Sequence, residues 1–315
     1  MIMRFPNTDW AIVLGGSSGF GLATAHKLSS HGMSVCIVHR DRRGAMARID
    51  AEFERIRSRA TNLLTFNADA LDRETRAMVL GGLREAMGPA GSVRVLLHSI
   101  AFGNLKLVAP DERLERDDLS SLAAELAVEP ARLAQAIDRL FAGGVDALHT
   151  LASPPAYPTA SFIDEEDLTL TIHSMGTSLL GWTQEILRGG LFADDARVFG
   201  LTSEGNQLAW KGYAAVAAAK VALESVARSI AVEMAHRGIR CNVIQAGVTD
   251  TPALRLIPGA EQLKSQARRR NPFRRLTTPQ DVANAIFLLS TAEAAWITGE
   301  VIRVDGGEHI SGLSR

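Results

Sequence analysis

Two side chains that can hold or move a proton stand seven apart in Tyr213-Ala-Ala-Val-Ala-Ala-Ala-Lys220. Alanine is the best helix former, and the Ala-rich run continues to about His236, so the pattern predicts one long helix. At 3.6 residues per turn, positions seven apart return to nearly the same face, about 10 Å along the axis. A phenol and an ammonium on one face form a chemical unit. The cation favours negative charge on nearby oxygen and orients a proton donor. Chance spacing on an Ala-rich helix is the plain alternative, so the elements around the pair must decide.

The first of these is a glycine loop. Trp10-Ala-Ile-Val-Leu14 is a short apolar run, followed by Gly15-Gly-Ser-Ser-Gly-Phe-Gly21 and a segment of helical composition over 22–31. Strand, glycine loop and helix together make a phosphate-binding arrangement. Gly15, Gly19 and Gly21 permit a tight turn and close backbone approach. The helix N-terminus offers free N–H groups and a positive dipole to a pyrophosphate. A glycine turn without a ligand is the alternative. Ser34-Val-Cys-Ile-Val38 reads as a second strand, buried on both faces. It runs into His39-Arg40-Asp41. In a dinucleotide fold this strand end faces the adenosine ribose, where an Arg suits the 2′-phosphate of NADP and an acidic group suits NAD. His39 and Arg40 come before Asp41, which favours NADPH over NADH; a solvated basic turn is the alternative.

Further strands are expected over 62–66, 93–97, 197–202, 239–244 and 301–304. Helices are expected over 42–60, 71–87, 164–188, 261–270 and 281–290. The βαβ alternation predicts an α/β fold: a Rossmann-like, doubly wound parallel sheet. The whole chain, 1–315, reads as one domain. The alternation is broken over 103–163, a helical insertion after the fourth strand, with short helices over 117–126 and 131–141. Such an insertion acts as a lid, an interface or a loose loop.

The balance of 34 basic and 35 acidic residues, net charge −1, gives no support to nucleic-acid binding or strong membrane attraction. No apolar run approaches the length of a membrane span, and no signal peptide is read at the N-terminus. Cys36 and Cys241 stand apart in apolar segments, with neither a disulfide framework nor a metal-ligand spacing. A cytoplasmic protein without a metal is therefore expected.

These features resemble the short-chain dehydrogenase/reductase superfamily over nearly the whole chain outside 103–163. The resemblance rests on Gly15-x3-Gly19-x-Gly21, on Asp69 after the third strand and on Val301 to Gly307. It is closest to the enoyl-thioester reductases of fatty-acid synthesis. His98-Ser-Ile-Ala-Phe102 stands where most members have Asn-Asn-Ala-Gly. Gln245-Ala246-Gly247 has Ala where most have Pro. Tyr-x6-Lys replaces the commoner Tyr-x3-Lys. If Lys220 is the superfamily lysine, the usual tyrosine position is Val216, and the other tyrosine of the chain, Tyr157, is remote in sequence. The departures are a glycine-rich rather than serine-containing loop, Ser203 where many enoyl reductases carry a second tyrosine, and His173 at the usual helix Asn.

The resemblance implies a catalytic set of Tyr213, Lys220 and Ser203. The cofactor would be held by Gly15, Ser17, Ser18, Gly19, Phe20 and Gly21, by His39, Arg40, Asp69 and Ala70 at the adenosine end, and by Ser99, Ile100 and Ala101. Lys220, Gly247, Thr249 and Thr251 would complete that set at the nicotinamide end. It implies NADPH-dependent reduction of an enoyl thioester carried on acyl carrier protein or coenzyme A, by a homodimer or homotetramer. Reduction of a ketone, or a silent NADP-binding sensor or scaffold, are the competing readings. The dense basic run 264–275 either meets acidic groups on such a carrier or is a solvated helix face.

Overall fold

Every strand of the protein runs the same way. The computed structural model describes residues 3–60, 62–111, 117–157 and 161–312. The elements in order are β1 (Asp9–Leu14), α1 (Gly19–Ser30), β2 (Ser34–His39), α2 (Met46–Arg57), β3 (Leu63–Asn67), α3 (Arg73–Met87) and β4 (Ser92–His98). Then come α4 (Asp117–Glu125) and α5 (Pro130–Ala142) of the insertion. The chain continues through α6 (Glu165–Ile172), α7 (Ser178–Arg188), β5 (Phe192–Thr202), α8 (Ala214–Glu233), β6 (Ile239–Ala246), α9 (Ala260–Arg270), α10 (Pro279–Leu289) and β7 (Val301–Val304). The strands form one seven-stranded parallel sheet in the order β3-β2-β1-β4-β5-β6-β7. This is the expected Rossmann-like, doubly wound α/β fold.

Alternation along β1 shows how the sheet is covered. Trp10, Ile12 and Leu14 face the layer of α3, α7 and α8, where they pack with Leu83, Trp182 and Leu223. Ala11 and Val13 face α1, α2 and α10, against Leu28, Ile56 and Ile286. Successive side chains of a strand point to opposite faces, so a strand covered on both sides is apolar throughout. The winding direction reverses between β1 and β4. At that point the carboxyl ends of the strands open a crevice, the usual ligand site of such sheets.

Three local departures matter to the site. The expected long helix begins one residue late: Tyr213 is the residue before the first turn of α8, with φ −110° and ψ 5°. The expected helix 164–188 is interrupted by a π-turn over His173–Thr177. At that turn a Cβ on Gly176 would lie 2.8 Å from the Ala219 carbonyl oxygen, so glycine lets the π-turn close onto α8 beside Lys220. The insertion carries its own small apolar cluster, Leu119, Ile137 and Ala152 with Leu133 and Phe141 around them.

Candidate functional site

The glycine loop follows β1 and leads into α1. Gly15 has φ +81°, and a Cβ there would lie 2.5 Å from the Ser99 carbonyl oxygen. A Cβ on Gly21 would lie 2.3 Å from the Gly15 carbonyl oxygen. No side chain fits either place, so the loop folds tightly across the end of β4. Gly19, with φ +53°, faces the Thr251 side chain from the loop after β6. Ser17 is buried. Ser18 precedes α1 in extended geometry, and its side chain caps no N–H of the helix. The loop is thus a cradle of backbone donors at a helix start, the geometry that fits a pyrophosphate.

At the adenosine end the expected residues part company. Arg40 Nη1 donates to Asp69 Oδ2 at 2.5 Å, and its guanidinium lies 5.0 Å from the Phe102 ring centre. The second oxygen of Asp69 accepts from the Leu71 amide at 3.0 Å. His39 turns inward instead: its ring is buried against Phe53, with Nδ1 2.9 Å from an Asp41 carboxylate oxygen. It holds the end of β2 in place. Ala70 is buried and its carbonyl accepts from Trp182 Nε1 at 2.8 Å.

Around the switch point lies a cleft of about 1090 Å³, its open mouth included. Ser99, Ile100, Ala101 and Phe20 form one wall. Gly247, Thr249 and Thr251 line the cleft from the loop after β6. Ser203, Tyr213 and Lys220 also line it. Most of the remaining lining is apolar: Leu105, Met175, Trp210, Leu254, Ile257 and Leu263. This arrangement suits an apolar substrate portion with a few polar groups at one end.

Tyr213 is placed by its neighbours rather than by helix geometry alone. Its amide donates to the Trp210 carbonyl at 3.2 Å, and the Trp210 and Tyr213 ring centres are 5.3 Å apart in an edge contact. A Cβ on Gly205 would lie 2.5 Å from Tyr213 Cε1, so only glycine permits this ring position. The phenolic oxygen is 3.4 Å from Ser203 Oγ. Burial raises the pKa of Tyr213, and the Ser203 contact opposes that. The phenol is therefore a neutral hydrogen-bond donor at physiological pH.

Lys220 sits fully within the protein and donates to the Leu201 carbonyl at 2.8 Å. Burial pulls its pKa down to about 8, against the attraction of Glu224 one turn later. Glu224 in turn accepts from Thr202 Oγ1 and Asn206 Nδ2, each at 2.6 Å. Among the described residues no hydrogen bond joins Lys220 to Tyr213. His98, at the end of β4, is buried with Nε2 2.8 Å from Ser178 Oγ. Burial and the Lys220 charge push its pKa down to about 3, so it is neutral. His173 opens the π-turn, with Nδ1 3.4 Å from Thr177 Oγ1.

The basic run is largely taken up within the molecule. Lys264 pairs with Glu261 at 2.5 Å, and Arg275 with Asp281 at 2.6 Å. Arg268 grips Asp146 of the insertion through two hydrogen bonds, 2.6 and 2.5 Å long. Arg270 pairs with Glu204 and Glu308. Of the insertion's described residues, Gly103 and Leu105 reach the cleft. The turn at Asp146 packs on α9, so the insertion backs the helix that borders the substrate side.

Sequence reasoning missed Glu204, Gly205, Trp210 and Glu308. Gly205, two residues after a candidate serine, was the available signal. Glu204 and Glu308 carried none, because nothing local to either brings them together. Among the described residues no group of three or more His, Cys, Asp or Glu could hold a metal ion, and no helix is long and apolar enough to cross a membrane.

Comparison with known proteins agrees with this architecture. The family described as short chain dehydrogenase matches residues 9–122, and that described as Enoyl-(Acyl carrier protein) reductase matches residues 131–309. A 3-oxoacyl-[acyl-carrier-protein] reductase of Vibrio cholerae is 29% identical over 168 residues, 53% of this chain and 68% of that protein. An enoyl-[acyl-carrier-protein] reductase [NADH] of Aquifex aeolicus is 40% identical over 101 residues, 32% of this chain and 37% of that protein. In the solved structures, an enoyl-(acyl-carrier-protein) reductase of Anaplasma phagocytophilum in complex with NAD superposes with a TM-score of 0.68 at 18% identity, over 100% of this chain and 98% of that one. The chain therefore belongs to the short-chain dehydrogenases/reductases, a family of oxidoreductases on the nicotinamide-dinucleotide-binding fold, its C-terminal half matching the enoyl-(acyl carrier protein) reductase family.

Proposed function

We propose that the protein reduces the C=C bond of an enoyl thioester with NADPH. The observation that carries this reading is the buried, neutral Tyr213 hydroxyl, seven positions before the buried Lys220, in a cleft whose substrate side is apolar. When bound, the reduced nicotinamide supplies hydride to the β-carbon of the substrate. The residues of this chain hold and orient. The glycine loop and Ser18 at the start of α1 receive the pyrophosphate. Arg40, exposed and ion-paired with Asp69 beside the Phe102 ring, exchanges that carboxylate for the 2′-phosphate. Ser99 to Ala101 and Gly247 to Thr251 flank the nicotinamide. Lys220 binds the adjoining ribose hydroxyls and keeps the local potential positive.

Negative charge then develops on the thioester oxygen. Tyr213 donates to that oxygen, and a preorganised donor in a dry cleft stabilises charge as it forms. Ser203, 3.4 Å away, steadies the phenol or adds a second donor. The apolar wall of Met175, Leu254, Ile257 and Leu263 takes the acyl chain. The insertion braces α9 behind that wall, and a second copy of the chain completes a homo-oligomer. Concentration-independent sedimentation as a monomer would remove the last element.

One observation favours a second reading, reduction of a 3-ketoacyl thioester. The Ser203 and Tyr213 hydroxyls lie 3.4 Å apart, close enough to serve one carbonyl oxygen, as suits a carbonyl whose own carbon receives hydride. The deciding experiment follows NADPH oxidation with crotonyl-CoA and with acetoacetyl-CoA. Turnover of crotonyl-CoA alone supports enoyl reduction; preference for acetoacetyl-CoA replaces it with carbonyl reduction.

A further inference from the structure

Three segments far apart in sequence meet at one guanidinium. Arg270, the last residue of α9, donates from Nη2 to Glu204 Oε2 at 2.6 Å and to Glu308 Oε1 at 3.1 Å. Glu204 directly follows Ser203 and lines the cleft. Glu308 lies in the turn after β7 and is 2% exposed. Its other oxygen, Oε2, accepts from the Val248 amide at 3.3 Å. That amide belongs to the loop Gly247 to Thr251, and a Cβ on Gly247 would lie 2.9 Å from Glu308 Oε2. The turn carrying Glu308 is itself fixed: Asp305 accepts from the Gly307 and His309 amides at 2.9 Å each, and the Asp305 carbonyl accepts from Asn271 Nδ2 at 2.8 Å.

We propose that Arg270, clamped between Glu204 and Glu308, is a positioning residue that sets the Ser203–Tyr213 donor pair and the Val248 loop relative to the substrate-side helix α9. Each contact of the clamp ends one step from a working part. Glu204 is bonded in sequence to Ser203, whose hydroxyl meets Tyr213. Glu308 holds the backbone of the loop that borders the nicotinamide. Arg270 is the rigid end of the helix whose Leu263 lines the substrate side. One cation between two carboxylates leaves the group short of positive charge, and burial followed by the Glu204 charge holds the Glu308 carboxyl above its ordinary pKa. The two acids therefore depend on Arg270 for their placement. Removing this largely covered cation from between two acids leaves them uncompensated.

This inference rests on the reading that 247–251 and Tyr213 serve the two ends of the reaction. The test uses the full chain with Arg270→Met, Glu204→Gln, Glu308→Leu and the double variant Arg270→Met/Glu204→Leu. NADPH affinity is read by fluorescence titration, kcat and KM on whichever thioester the unmodified protein turns over, and Tm by thermal unfolding. Glu204→Gln is expected to lower kcat about tenfold with NADPH Kd within about twofold, the loss of one charged hydrogen bond acting on one end. Glu308→Leu is expected to raise NADPH Kd about fivefold to tenfold with the smaller change in kcat. Arg270→Met does both. In the double variant Tm recovers, because no acid is left facing Glu308 without a cation between them, while kcat stays low. Unchanged kcat and Kd in Arg270→Met overturn the proposal, as does a double variant in which kcat recovers together with Tm. If the unmodified protein reduces neither thioester, the proposed function fails on its own, and the NADPH Kd of Arg270→Met and Glu308→Leu still decides the clamp.

Discussion

Replacing Lys220 with Met separates the stability cost of this residue from its use. The ammonium is buried, donates to the Leu201 carbonyl at 2.8 Å, and has a pKa pulled from 10.5 to about 8, chiefly by burial. At 1.36 kcal/mol per pH unit, that difference amounts to about 3 kcal/mol by which burial disfavours the charged form. Because the folded-state value lies below the unfolded one, the unfolded chain binds more protons between pH 8 and pH 10.5. The stability owed to this site therefore rises with pH across that window and is flat below it. Lys220→Met removes the charge and keeps most of the volume, at the loss of a hydrogen bond from a charged donor worth about 1.5–3 kcal/mol. At pH 7 the variant is expected to match the parent or exceed it slightly. As pH rises toward 10.5 the parent gains about 3 kcal/mol relative to the variant. Urea unfolding of both apo-proteins from pH 7 to pH 10 measures the difference, in which other titrating groups cancel. Parallel stability–pH curves would refute the reasoning. The same substitution should abolish turnover and weaken NADPH, so a protein about as stable at pH 7 but without activity is the expected outcome.

Three further substitutions probe the rest of the cleft. Tyr213→Phe removes the donor and keeps the ring, so kcat should fall about 10²–10³-fold with NADPH Kd unchanged, and full activity on crotonyl-CoA would exclude the phenol from the reaction. Gly205→Ala puts a methyl where Tyr213 Cε1 lies 2.5 Å away; the displaced ring should cost about 10²-fold in kcat, checked by steady-state kinetics beside an unchanged cofactor titration. Arg40→Ala should weaken NADPH about tenfold or more and leave NADH nearly unaffected, since only the former carries the 2′-phosphate, and an equal loss for both in parallel titrations would count against that role.

How much of this was readable before the structure differs by element. The inner strands were legible because burial on both faces makes them continuous apolar runs, as in Ser34-Val-Cys-Ile-Val38, and the seven expected strands all lie in the sheet, the half-exposed edge strands β3 and β7 included. The glycine loop was legible because the positive φ of Gly15 and the closeness of Gly21 to the Gly15 carbonyl are local demands with a local signature. His39 misled: its type and place suggested a ligand contact, but the ring is buried against Phe53.

 That packing joins β2 to α2 across fourteen residues, and no local pattern announces it. The basic run misled in the same way. Its charge was plain in sequence, but its partners Asp146, Glu204, Glu308 and Asp281 come from four other places in the chain.

Under the proposed function, the choice between enoyl and keto reduction turns on where the phenol sits, and the structure changes how that question is posed. On a continuous helix, moving the tyrosine from the Val216 position to Tyr213 would slide it about 5 Å along the axis. Tyr213 is instead the residue before the first turn of α8, so its direction is not dictated by helical periodicity. It is dictated by the loop from Ser203 to Gly212: Trp210 on the ring edge, Gly205 beneath the ring, and Ser203 at the hydroxyl. Val216, at the commoner tyrosine position, is buried in the same apolar cluster and has no proton to give. Lys220 and the glycine loop are held by helix and sheet. The donor is held by ten residues of loop. A substitution in that loop can therefore shift the reacting oxygen relative to the hydride donor while leaving cofactor binding intact. Under the proposed function, substrate choice is for that reason a property of 203–213, read through Tyr213, and not of the fold that presents it.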